Sequence, residues 1–147
     1  MSGQSQPKML FVNLPVHDLP AAIAFYEAIG AARNNDLADE TSQMISFSDT
    51  IHAMLITRAR FATFTEHPVV DARDAVQLGL CLTEESRAAV DDVVARALAA
   101  GGTEPNPPQD HGFMYARGFA DLDGHMWDFC WMDVEAATKA NHADAAA

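Results

Sequence analysis

The stretch GFADLDGHMWDFCWMD, residues 118–133, reads as two strands joined at the polar turn Asp121-Leu122-Asp123-Gly124. Its second strand runs His125, Met126, Trp127, Asp128, Phe129, Cys130, Trp131, Met132. Successive side chains of a strand point to opposite faces. Trp127, Phe129 and Trp131 therefore share one face, and Met126, Asp128, Cys130 and Met132 share the other. Burial of one face accounts for the aromatic residues. It leaves a carboxylate in the middle of the second face, and a carboxylate is costly to bury without compensation. What Asp128 meets is the functional question.

The chain has 147 residues, 49% of them hydrophobic, enough for one ordinary domain or two small modules with a real core. The net charge of −12, with only nine Lys and Arg, works against nucleic acid, because neutralising phosphates requires clustered cations. Acidity of this kind serves solubility first, though it also favours a cationic ligand. No apolar run approaches the roughly 20 residues of a membrane helix. The opening MSGQSQPKML lacks the layout of a secretion signal, so a soluble cytoplasmic protein is expected. Cys81 and Cys130 are too few for a disulfide framework and are expected to be reduced.

Upstream, KMLFVNLPV (residues 8–16) alternates, with Val12, Leu14 and Val16 on one face and Phe11, Asn13 and Pro15 on the other. Asp18 is a good N-cap and Pro20 suits a first helical turn. Leu19, Ala22, Ile23, Tyr26 and Ile29 form an apolar stripe that Gly30 ends. After a polar segment, residues 44–48 and 51–57 read as strands joined at Asp49-Thr50. Residues 58–75 form a link. The order then repeats: VQLGLCL (residues 76–82) is a strand, and residues 83–100 are a helix with Val90, Val93, Val94, Ala97 and Leu98 on one face. The meander that follows is poorly marked at its start, where Thr103-Glu104 is the only strand candidate before the prolines. The alanine-rich segment from Val134 is either a docked helix or disordered.

Two βαβββ halves, with VNLPVHDLPAAIAFYEAIG in the first and FADLDGHMWDFCWMD closing the second, resemble the vicinal oxygen chelate superfamily. That family includes glyoxalase I, fosfomycin-resistance transferases, extradiol dioxygenases and bleomycin-resistance proteins. The resemblance covers residues 8–133, with modules at about 8–57 and 76–133, a linker at 58–75 and a tail at 134–147. It implies an α+β fold: paired βαβββ modules forming a cupped, antiparallel-rich mixed sheet with helices on the outer face. It also implies a homodimer. The scaffold does not fix a reaction, which has to be argued from the site.

In this family a metal, where present, is held by cavity-facing residues on the first and last strand of each half. Asp128 stands at the position resembling the last of these ligands, which places it on a pocket wall rather than on a plain solvent face. The other three positions are Phe11, Met54 and Gln77. Phe11 has no donor, Met54 only a soft thioether and Gln77 a weak neutral oxygen, so no metal and no cofactor are expected. The alternative is a divalent metal on a displaced polar cluster of Asn13, His52, Gln77 and Asp128. Cys81 and Cys130 fall on adjacent strands of the implied fold. A disulfide, a thiol pair and a soft-metal site are open to them, although free cysteines mostly act as small apolar residues. Asp110, His111, Tyr115 and Arg117 lie at or beside the last sheet on a candidate lid loop, with His111 the candidate acid or base. No Ser-His-Asp order, phosphate-binding glycine loop or dinucleotide fingerprint is present.

The expected function is recognition of a small organic molecule without a metal, in the manner of the bleomycin-resistance branch. The ligand-binding residues would be Phe11, Asn13, His52, Met54, Gln77 and Asp128. The rival is a glyoxalase-like, metal-dependent lyase, isomerase or transferase, whose chemistry is metal polarisation of adjacent oxygens.

Overall fold

Residues 5–146 are described by a computed structural model, with side chains through His142. They fall into two compact units, one ending at Asp71 and the other beginning at Ala72. Each is an α+β unit built on a four-stranded mixed sheet, and the two contain four helices among the described residues.

In the first unit, β1 (Leu10–Val16) turns its alternating Leu14 and Val16 inward, and Asp18 then starts α1 (Leu19–Ala28). The Asp18 carboxylate accepts the Ala21 N–H at 3.0 Å, satisfying a donor that has no partner within the helix. Pro20 in the first turn forfeits no bond. The helix buries Leu19, Ala22, Phe25 and Tyr26. The sheet face beneath them carries Ile45, Ala53 and Leu55, all fully buried. Burial of each large side chain here is worth about 1.5–3 kcal/mol relative to exposure. Phe25 joins this layer although the apolar stripe predicts Ile23, which is only half-buried.

The sheet continues through β2 (Ala32–Asp39), β3 (Ser42–Ser46) and β4 (Ile51–Thr57) in the order β1-β4-β3-β2. β1 and β4 are parallel and the other pairs antiparallel. β2 is the strand the sequence hides, because its residues ARNNDLAD are polar and almost wholly exposed at the sheet edge. It is held by backbone pairing and by the buried Gln43 amide, which donates to the Asn34 carbonyl at 2.8 Å. A register shift between Asn34 and Ala38 interrupts the pairing. After β4 come a short helix α2 (Arg58–Phe61) and a 3-10 turn (Ala62–Phe64).

The second unit repeats this topology with β5 (Gly79–Thr83), α3 (Arg87–Ala99), β6 (Gln109–Asp110), β7 (Met114–Ala120) and β8 (Met126–Met132), in the order β5-β8-β7-β6. β5 and β8 are parallel. Helix α3 covers β7 and β8 with Val90, Val93, Val94 and Ala97, above Phe119, Trp127 and Phe129. The Phe119 and Phe129 rings stack at 5.6 Å. Leu98, expected on the buried face, is 39% exposed. The tail forms α4 (Val134–Ala146), whose Ala136 N–H is capped by the Asp133 carboxylate at 3.1 Å.

Two expected boundaries move for physical reasons. α3 starts at Arg87 rather than near Thr83, because Thr83 still pairs with Cys130 and Ser86 supplies the cap, its hydroxyl accepting the Ala89 N–H at 3.0 Å. Ser86→Ala should lower stability by about 1 kcal/mol, read as a shifted urea midpoint at constant slope. An unmoved midpoint would mean the cap contributes nothing. The first strand of the second meander lies after the prolines, at Gln109–Asp110, while Thr103 makes only an isolated bridge to Ala120. Pro105, Pro107 and Pro108 have no N–H to donate, so a ladder cannot run through them.

Candidate functional site

The Asp121-Leu122-Asp123-Gly124 turn aims β8. The buried Asp121 carboxylate accepts the N–H groups of Asp123 and His125, both at 2.9 Å, and Gly124 takes φ +90°. A side chain at 124 would be strained by that φ and would also meet the Ala72 backbone at 2.6 Å, so the turn requires glycine twice over.

From this turn, β8 alternates as expected. Trp127 and Phe129 are buried against α3, whereas Asp128 is exposed on the opposite face. Asp128 pairs in register with Gly118 of β7, and its carboxylate folds over that glycine. A methyl group at 118 would overlap Asp128 Oδ1 and stand 2.7 Å from the Trp127 carbonyl oxygen. The glycine is thus the floor on which the carboxylate rests. Pro105, Asn106, Gly118, Met126, Trp127 and Asp128 line a groove on this unit. Pro105 and Asn106 belong to the proline-rich loop, which explains why that loop forms no strand and walls the site instead. The carboxylate makes no hydrogen bond among the described residues.

Beside Asp128 on the same face lie the two cysteines. Cys81 is the in-register partner of Asp128 across β5 and β8, and its Sγ is 3.8 Å from Cys130 Sγ. Cys81 is exposed and Cys130 buried. Partial burial of the sulfur, the neighbouring Cys130 thiol and the Asp128 charge together push the Cys81 thiol up to about 11. At neutral pH it is a thiol and a poor nucleophile.

The first unit places the other predicted residues on the sheet face opposite α1. Phe11 stands in register with His52 and Asn13 with Met54. Phe11 is 40% exposed, and its ring stacks on the His52 imidazole at 4.9 Å. His52 itself is buried. Its Nδ1 lies 2.7 Å from the Ser46 hydroxyl and its Nε2 3.2 Å from the Asp49 carbonyl, so both ring nitrogens are engaged. This is a hydrogen-bonded histidine that braces the β3–β4 turn. Gln77 requires a correction: β5 begins at Gly79, so Gln77 lies in the irregular, exposed lead-in and not on a strand. With Gly79 opposite Met126, a residue two places earlier would face the Gly124 turn, where no strand remains to pair with it.

The polar residues of the last sheet are spent on structure. Arg87 forms two bonds to the Asp110 carboxylate, at 2.7 and 2.8 Å, and a third to the Gly112 carbonyl at 2.8 Å. Its guanidinium lies 5.2 Å from both the Tyr115 and Trp131 ring centres. Arg117 joins Glu104 and Asp91, and the Tyr115 hydroxyl donates to Asp91 at 2.7 Å. These pairs fasten both ends of the proline-rich loop, at Glu104 and Asp110. Arg87 bonding holds the Asp110 carboxyl down at about 2. His111 is exposed, its ring stacked 6.2 Å from Phe113. Sequence reasoning misses Arg87 and Gly118. The available signal for Gly118 is a glycine inside a strand, which marks a close approach of another group.

A family-type metal does not fit these residues. Phe11 offers no donor, Met54 a thioether and Gln77 no place on a strand. No group of three or more His, Cys, Asp or Glu among the described residues could hold an ion.

No curated protein sequence is similar enough to match the chain. Among solved structures, a hypothetical protein of S. aureus, SA1046, is 24% identical with a TM-score of 0.73, over 87% of this chain and 96% of that one. A bleomycin resistance determinant encoded on transposon Tn5 is 18% identical with a TM-score of 0.60, over 86% and 99%. TnmS3, an antibiotic binding protein from Streptomyces sp. CB03234, is 18% identical with a TM-score of 0.62, over 88% and 99%. At these identities the likeness is one of fold, and it agrees with the repeated βαβββ order. The family model for the Glyoxalase/Bleomycin resistance protein/Dioxygenase superfamily matches residues 8–129, and the chain belongs to that superfamily.

Proposed function

We propose that this protein binds a small organic molecule, without the metal used by catalytic members of its family, as a cytoplasmic homodimer. The carrying observation is the Asp128 carboxylate: exposed, without a hydrogen bond among the described residues, and resting on Gly118 in a groove walled by Met126, Pro105 and Asn106. A carboxylate that the fold leaves unpartnered beside apolar surface suits a ligand with an aromatic or aliphatic body and a cationic or hydrogen-bond-donating group. Two solved neighbours, one an antibiotic binding protein and one a bleomycin resistance determinant, support this reading. Dimerisation is supported by exposed Met9, Leu10 and Phe11 at the start of β1, an edge strand of its sheet. Among the described residues no helix is long and apolar enough to cross a membrane.

The test is calorimetric titration of chelator-treated protein with bleomycin and a panel of cationic aromatic compounds. Asp128→Asn keeps the side-chain shape and removes the charge. It should weaken binding roughly 10- to 100-fold, the scale of a hydrogen bond to a charged group, while leaving the melting temperature unchanged. Equal affinity in the variant, or binding that requires added metal, would sink the proposal.

A further inference from the structure

We propose that Cys81 and Cys130 form a two-sulfur site for a thiophilic d10 cation such as zinc or cadmium. This site goes beyond the small-molecule reading and does not depend on it. The fold brings together two sulfurs 49 positions apart in sequence, from neighbouring strands and on one face, at 3.8 Å. Two thiolates bound tetrahedrally at about 2.3 Å from one zinc ion stand about 3.8 Å apart, so both sulfurs reach a shared ion without main-chain movement. Cys81 is exposed, giving the ion a way in, while Cys130 anchors it from the buried side. Asp128, in register with Cys81, adds negative charge beside the pair.

The same geometry disfavours a disulfide. Cys81 pairs with Asp128, and Cys130 with Thr83, so the cysteines are diagonal neighbours. In a parallel pair, a rise of about 3.3 Å per residue and a strand spacing of about 4.8 Å put diagonal positions about 8 Å apart. A disulfide needs Cα atoms within about 6.8 Å and sulfurs at about 2.05 Å. Binding replaces two S–H bonds by two S–metal bonds and releases two protons to solvent, with no change of oxidation state. No third His, Cys, Asp or Glu completes a ligand set among the described residues, so water fills the remaining positions.

The experiment is titration of fully reduced protein with Cd²⁺, followed by thiolate-to-metal charge-transfer absorbance and by counting thiols that still react with a chromogenic disulfide reagent. One Cd²⁺ per chain, with both thiols masked, is expected. Cys81→Ser, at an exposed position, should lower Cd²⁺ affinity by roughly 100-fold and reduce the band. Cys130→Ser should do the same in protein whose melting curve shows it folded. Two freely reactive thiols in excess Cd²⁺, or undiminished affinity in Cys81→Ser, would overturn the assignment. So would a reduced protein that ignores Cd²⁺ yet oxidises to an intramolecular disulfide.

Discussion

Gly118→Ala should lower stability by about 3 kcal/mol, the upper range for adding a methyl group where there is no room. The added carbon would overlap the Asp128 carboxylate and stand 2.7 Å from the Trp127 carbonyl oxygen. These two conflicts differ in kind. A carboxylate can swing away at the cost of a rotamer change, whereas the Trp127 oxygen belongs to a strand paired on both sides. The double variant Gly118→Ala/Asp128→Ala should therefore recover only part of the loss, a coupling that a double-mutant cycle in urea measures directly. A single variant within about 0.5 kcal/mol of the parent would show that β7 and β8 separate easily, and the seat described for Asp128 would be wrong. In the folded fraction, Gly118→Ala should also weaken ligand binding, because the carboxylate is the part that gives way.

For Arg117→Met the expected loss is about 2–3 kcal/mol, below the full cost of breaking a buried pair because Arg117 is only partly buried. Its side chain is 18% exposed and that of Glu104 19% exposed, with 2.8 Å between them, while Asp91 on the other side is 52% exposed. Bonding from Arg117 holds the Glu104 carboxyl below its ordinary range. Bonding from Tyr115, and then from Arg117, does the same for Asp91. Groups depressed in the folded state stabilise it above the unfolded carboxylate pKa of about 4 and lose that contribution as pH falls through their lower folded values. The parent should thus lose stability on acidification below about pH 5, and Arg117→Met should lose less over the same interval. Parallel melting-temperature curves between pH 6 and pH 2.5 would refute the assignment. A second consequence is mechanical: with Glu104 released, Pro105 and Asn106 lose one anchor and the groove its fixed wall.

Alternation and caps made much of each unit legible. Val12, Leu14 and Val16 announced the buried face of β1, Asp18 and Pro20 the start of α1, and Asp123-Gly124 the closing turn. The face carrying Met126, Asp128 and Cys130 followed from the aromatic residues opposite it. What stayed hidden depends on partners across strands. β2 is polar because it lies at a sheet edge, so nothing in ARNNDLAD alternates. Gln77 seemed to continue a strand, but its would-be partner is a turn residue. His52 read as a free donor because only the folded hairpin brings Ser46 and the Asp49 carbonyl to its two nitrogens. Gly118 and Asp128 are each visible in the sequence. Their contact is a matter of register, and register follows from the whole sheet.

In both units the parallel pairs join the first strand to the last, β1 to β4 and β5 to β8. Each unit's opening strand must therefore wait, unpaired, until the end of its own segment has left the ribosome. The local hairpins β3–β4 and β7–β8 can form within microseconds, but the chain closure that completes each sheet carries the entropy of the intervening loop. Docking of β1 and of β5 should be the late, slow events of folding. Until then β1 leaves both of its edges unpaired and keeps Leu14 and Val16, buried in the finished unit, in water, making this short segment the one most in need of protection in the newly made chain.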